Sequence, residues 1–256
     1  MGELKIPDSI KNNLPEELRE GFIDDLTNNI AGINAEVRLP QILVNHQNAS
    51  FIMPSSEGGT LVKEIEGIIV HQQRINGLWE NIDPTDEGSA EKNRLICSSL
   101  NAKEPEKREG LTPQAELCIH CKFNQFRTAK RGTGKACKNM VRTHVIISGE
   151  ILPFRLTIPP SSLVEYYNYV TTLTREYAPL IMVKTRFSLN KIDKGSMVYS
   201  KFSFKRTAVL PTEEYIKMKA EKEKYLAMMI LQPIEIEEYA HGEAGDTSID
   251  DIDNPL

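Results

Sequence analysis

Residues 61–72 read LVKEIEGIIVHQ. Apolar and polar residues alternate through the first half, and β-branched side chains (Val62, Ile65, Ile68, Ile69, Val70) dominate, the pattern of a strand with one buried face. Asn76 and Gly77 then supply a turn signal before Leu78, Trp79 and Ile82 resume the apolar pattern, so a hairpin is predicted here. Working outward, residues 41–45, 49–54 and 94–98 read as short strands, and residues 143–147 and 151–158 as a pair turning about Gly149 and Glu150. Residues 180–189 and 197–204 form a further hairpin around Asp193, Lys194 and Gly195. Residues 100–114, with Pro105, Gly110 and Pro113, are a loop.

Three helices flank these strands. The first, over residues 15–30, starts at Pro15 and lines up Leu18, Phe22, Ile23 and Leu26. The second follows Pro159 and Pro160, with Ser161 or Ser162 as cap and Leu163, Tyr166, Tyr167, Val170 and Leu173 at helical spacing. The third runs from a capping Thr212 to about Leu231. Seven or eight strands without regular strand-helix alternation exclude a doubly wound parallel sheet. They predict a mainly β fold with flanking helices (α+β), built on a closed or partly closed antiparallel barrel.

Cys97, Cys118, Cys121 and Cys137 are the four cysteines. The opening residues, Met1 to Lys5, carry charge and no export signal, and no apolar run approaches the roughly 20 residues of a membrane span, so a cytoplasmic, reducing setting with no membrane contact is expected. Two cysteines separated by two residues form a knuckle that brings two thiolates to one tetrahedral ion, and the outer pair completes a four-sulfur set. Ordinary buried thiols are the plain alternative, but neighbours such as His120, Lys122, Lys135, Lys138 and Asn139 offer little core. The spacing predicts structural zinc, with His120 or His144 as an alternative to Cys97 for the fourth ligand, and departs from iron–sulfur motifs.

Between Cys118 and Ser148 stand Lys122, Arg127, Lys130, Arg131, Lys135, Lys138 and Arg142 and no acidic residue, with Phe123 and Phe126 interleaved. Cations neutralise phosphates while aromatic rings stack on unpaired bases, the combination that single-strand binding uses. A solvated loop with both phenylalanines packed beneath it is the plain alternative. Lys184, Arg186 and Lys201 in the later hairpin extend the candidate surface, and Trp79 and Tyr199 are further stacking candidates. The net charge of −5 hides a segregation: eight of the 36 acids follow Lys224, where no lysine or arginine occurs, leaving 28 against 31 bases and a net +3 in residues 1–224. Asp24, Asp25, Asp83 and Asp86 form no recognisable metal-binding pair, so an enzyme is not expected.

The barrel, the four-cysteine insertion with its basic aromatic loop, and an end reading Asp250, Asp251, Ile252, Asp253, Asn254, Pro255, Leu256 together resemble single-stranded-DNA-binding proteins. The tip is similar to the acidic tip of the bacterial proteins, differing in its final leucine and in Asn254. The cysteine insertion is similar to that of phage or mobile-element proteins whose oligonucleotide-binding (OB) barrel holds zinc. The resemblance covers roughly residues 61–204 and the tail, and with the element reading it divides the chain into an amino-terminal helical arm (1–35), an OB-like β-barrel (36–210) with a four-cysteine zinc loop (97–142), a carboxy-terminal helix (211–233) and an acidic disordered tail (234–256). It implies binding of single strands, DNA in preference to RNA, during replication or recombination, with partner proteins docking on Asp250, Asp251, Ile252, Asp253, Pro255 and Leu256, and leaves open a homo-oligomer. The alternative is a zinc-stapled adaptor between proteins in replication or transcription.

Overall fold

The computed structural model describes residues 38–55, 58–80, 94–129, 132–193, 198–235 and Glu238, together with Gly21, Asp25, Asn28 and Asn29. Among these residues nine strands form one sheet: β1 (Gln41–Asn45), β2 (Ser50–Ser55), β3 (Gly58–Val62), β4 (Glu64–Trp79), β5 (Leu95–Ser99), β6 (Lys138–Ile147), β7 (Phe154–Ile158), β8 (Val183–Asp193) and β9 (Val198–Val209). Two long helices are described, α1 (Leu163–Arg175) and α2 (Thr212–Leu231). Gly21, Asp25 and Asn28 are helical, and the rest of the expected arm lies outside the described residues. No helix among the described residues is long and apolar enough to cross a membrane.

The alternating stretch that predicted a hairpin is instead a single strand of 16 residues, β4. Asn76 and Gly77 do not turn, because both are paired on both flanks, with Ser99 and Ser98 of β5 and with Asn139 and Lys138 of β6. Gly77 is needed there for space: a Cβ would stand 2.3 Å from the Trp79 ring. A bulge between Ile69 and His71 shifts the phase of the strand. Ile65 and Ile69 face one core and Ile68 and Val70 the other; beyond the bulge Ile75 joins a third cluster with Ile234.

The order β3-β2-β1-β7-β6-β4-β8-β9, with β5 on the far end of β4, makes β4 the spine. The sheet is mixed, which corrects the expected antiparallel barrel: Gln41 and Ile42 of β1 pair parallel with Arg155 and Leu156 of β7. These two strands lie far apart in the chain, so no hairpin imposes the antiparallel sense.

The sheet curls until its flanks meet. Phe51 on β2 lies edge to face with Phe202 on β9, and the Ser200 N–H donates to His46 Nδ1 at 3.0 Å. The inner core, with Phe51, Val145, Leu156, Phe187 and Phe202, is closed at one end by Tyr166 of α1. The expected cap of α1 has other work: Ser162 Oγ accepts the Phe202 N–H, closing the outer edge of β9. The outer face is covered by α2 through Met218, Tyr225, Met228 and Met229. The result is a curled half-barrel with one helix at its inner end and one on its back.

Candidate functional site

The cysteines reach one place from three segments. Cys97 lies on β5 opposite Leu78, Cys118 and Cys121 bracket a single 3-10 turn, and Cys137 immediately precedes β6. The turn is closed by the Cys121 N–H on the Cys118 carbonyl, and Asn124 Nδ2 donates to that carbonyl at 2.9 Å. The Cys118 N–H reaches the Lys103 carbonyl and the Cys137 N–H the Phe123 carbonyl, each at 2.8 Å, tying the knuckle to its two neighbouring segments. All four thiols are free and line a cavity of ≈ 20 Å³ with Asn76, Leu78 and Asn124.

Burial pushes the Cys137 thiol up to about 12, and repulsion from Cys121, Cys118 and Cys97 adds to it. Cys97 is raised too, by burial foremost and by Cys118 and Cys121. A donor set of this kind, in a space of one small ion, fits zinc, whose charge favours deprotonated thiols. Among the described residues no group of three or more His, Cys, Asp and Glu side chains stands in a metal-holding arrangement.

Neither histidine lines the cavity with the cysteines. His120 is exposed and does not line the cavity. His144 is paired with His71 across β4 and β6, fully buried beside Arg142 and Arg155, because its strand position turns it away from the cysteine loop.

The basic residues divide into two sets. On the loop, Lys122 lies 4.9 Å from the Phe123 ring centre, and Arg127 is exposed. Lys135 sits 4.9 Å from the centre of the Phe126 ring and donates to Asn139 Oδ1 at 2.9 Å and Asn124 Oδ1 at 3.4 Å. Burial lowers the Lys135 pKa, opposed by Cys137 and assisted by Arg74. Lys138 is half-buried at the start of β6, and Lys130 and Arg131 lie outside the described residues. Phe123 packs against Leu78, Ala136 and Cys137, whereas Phe126 is 42 % exposed.

The hairpin cations stand next to carboxylates: Lys184 at 3.8 Å from Glu214, Arg186 at 3.5 and 3.3 Å from Glu64 and Glu66, and Lys201 at 3.5 Å from Glu165. Arg142 requires correction. It is fully buried, donating from Nη1 to the Gln232 carbonyl at 2.6 Å and from Nε to Glu238 at 3.1 Å, so it meets no phosphate. Tyr199 is buried, and Trp79 packs beside Ile75 and Leu95; neither is a stacking platform.

Arg74 was not singled out from the sequence, and Tyr167 was expected only to pack. Arg74 is exposed on β4, on the same strand face as Gln72 and Asn76, and has no acidic partner among the described residues. Tyr167 of α1 is 39 % exposed, next to the buried Tyr166, whose hydroxyl donates to Gln72. Strand alternation beyond the bulge was the signal for Arg74, and the expected turn at Asn76 concealed it.

The expected tail begins inside the fold, which corrects the boundary at 234. Ile234 is buried with Ile75, Leu95 and Met140. Glu235 pairs with Arg155 at 2.9 Å and with Arg38, and Glu238 engages Arg142, Arg155 and the Thr157 hydroxyl. Asp250, Asp251, Ile252, Asp253, Pro255 and Leu256 lie outside the described residues. No protein-family model, curated protein or solved structure matches the chain.

Proposed function

We propose that this chain binds single-stranded nucleic acid, DNA in preference to RNA, in replication or recombination, using a curled sheet in the manner of an OB barrel and a zinc-stapled loop. The observation that carries this is the contrast between its two sets of cations. Arg74, Lys122, Arg127 and Lys135 have no carboxylate partner among the described residues, and Lys135 lies against the exposed Phe126 on a loop whose sequence from Cys118 to Ser148 contains no acid. Unneutralised cations attract phosphates, and an exposed ring stacks on any base, so the arrangement suits sequence-tolerant binding.

Zinc at Cys97, Cys118, Cys121 and Cys137 supplies a fixed crosslink and no chemistry, since four protein ligands leave no open position. The loop has few apolar residues to fold around, and the crosslink holds Phe126 and Lys135 in place. Acidic residues beyond Glu238 repel nucleic acid and suit recruitment of partner proteins with basic surfaces.

The test is titration of fluorescent single-stranded DNA, single-stranded RNA and duplex DNA across a salt series, with the zinc content of the same sample measured. Tight single-strand binding that weakens steeply with salt is expected. The knuckle tip favours one other reading: Ile119, between Cys118 and His120, is 71 % exposed, an apolar side chain that a protein partner would cover. Folded, zinc-loaded protein without affinity for single strands would decide for that adaptor.

A further inference from the structure

We propose that the strand crosses the exposed Gln72 and Arg74 of β4, on the concave side, with Arg74 contacting phosphate and Phe126 and Tyr167 stacking bases at the two ends, while the buried Asn76 ties this row to the cysteine loop. This rests on the single-strand reading above and gives it a path that the cysteine loop alone does not define.

The geometry comes from strand alternation and a chain of hydrogen bonds. Gln72, Arg74 and Asn76 share one face of β4 and span about 13 Å at the usual strand rise. At one end, Asn76 Oδ1 accepts from Asn139 Nδ2 at 2.7 Å, Asn139 Oδ1 accepts from Lys135 Nζ at 2.9 Å, and Lys135 lies against Phe126. At the other end Gln72 Oε1 accepts from the Tyr166 hydroxyl, and the Tyr166 ring lies 6.1 Å from that of Tyr167. The row therefore joins the cysteine loop to α1, with an exposed ring beyond each end and one exposed guanidinium in the middle.

The competing path, along β8 and β9, offers Lys184, Arg186 and Lys201, but Glu214, Glu64, Glu66 and Glu165 stand beside them. A phosphate there meets carboxylates as well as cations. Around Arg74 the neighbouring charge is Lys135, of the same sign, so an anion between them gains from both and relieves their repulsion.

The experiment uses the full chain and a fluorescent oligothymidine, comparing Arg74→Ala, Arg74→Lys, Tyr167→Ala and a Lys184→Ala/Arg186→Ala double variant, each checked for an unchanged melting transition. Arg74→Ala is expected to weaken binding roughly tenfold and to lower the salt slope by about one, with Arg74→Lys restoring the slope. Tyr167→Ala weakens binding roughly fivefold without changing the slope, and the double variant binds within about twofold of the parent. Normal binding by Arg74→Ala, or a greater loss in the hairpin variant, overturns the path while leaving single-strand binding intact. A folded parent chain that binds no strand overturns the functional reading itself.

Discussion

Phe51 and Phe202 meet edge to face with ring centres 5.6 Å apart, although β2 and β9 lie towards opposite ends of the strand order. This contact and the His46 to Ser200 hydrogen bond hold the sheet in its curl. Both rings are buried, so Phe51→Ala or Phe202→Ala removes inner-core volume and costs about 3–5 kcal/mol. The double variant is expected to lose less than the sum of the singles, by about 0.5–1.5 kcal/mol. Urea denaturation of the four proteins measures this; strict additivity would show that the rings do not act as a pair.

Arg142 and Glu238 tie the start of the acidic carboxy-terminal segment to the middle of the sheet. Removing one partner of a buried pair leaves the other charge uncompensated, so Arg142→Ala is expected to cost about 3–5 kcal/mol. Replacing Arg142 and Glu238 together by Met and Gln should cost less than Arg142→Ala alone. Thermal melts separate the cases, and a wild-type melt from Arg142→Ala would sink the account.

His71 and His144 face each other under α2, ring centres 5.6 Å apart, with His71 Nε2 and both nitrogens of His144 lacking hydrogen-bond partners in the fold. Burial lowers both pKa values, helped for His144 by Arg142, His71 and Arg155 and for His71 by Lys222, with the Gln73 hydrogen bond opposing. Glu238, the nearby acid, is held by the two arginines. The unfolded chain takes up protons near pH 6.5 while the folded chain resists them. The stability these imidazoles permit is therefore complete well above pH 6.5 and falls as the pH drops below it. Denaturation at pH 7.5 and 5.5 should show the loss, and His144→Phe should flatten it; an equal loss in that variant would locate the titration elsewhere.

Zinc on the four cysteines predicts one metal per chain, lost when Cys137→Ser is introduced and retained in His120→Ala and His144→Phe. Elemental analysis reads the stoichiometry. Limited proteolysis reads the consequence, with cleavage between residues 118 and 137 accelerated in the metal-free variant. A full zinc complement in Cys137→Ser would remove that cysteine from the ligand set.

Gly77→Ala forces a methyl group against the Trp79 ring and is expected to destabilise by about 1–3 kcal/mol. Trp79→Leu in the same chain should recover part of the loss. No recovery would point to strand backbone effects instead of the ring.

Much of the local structure was readable from the chain. The apolar spacing of Leu163 to Leu173 placed α1, the span from Thr212 placed α2, and Gln41–Asn45 was read as it stands in β1. These succeed because a helix or strand with one buried face imposes its period on the residues that form it. The Cys-x-x-Cys knuckle, likewise, is a local spacing, and the two outer cysteines join it at the same cavity.

The tertiary structure decided what depends on partners distant in the chain. Asn76 and Gly77 read as a turn until two flanking strands pair with them. Arg142, identical in the sequence to its exposed neighbours, is taken out of any phosphate contact by Glu238 and the Gln232 carbonyl, about ninety residues away. The same holds for Lys184 and Arg186, whose charges are met by Glu214, Glu64 and Glu66, and for Arg74, which stands clear of any carboxylate described. Composition settles how many charges the chain carries. Only folding settles which of them face one another, because Coulomb attraction follows distance in space and takes no account of distance along the chain.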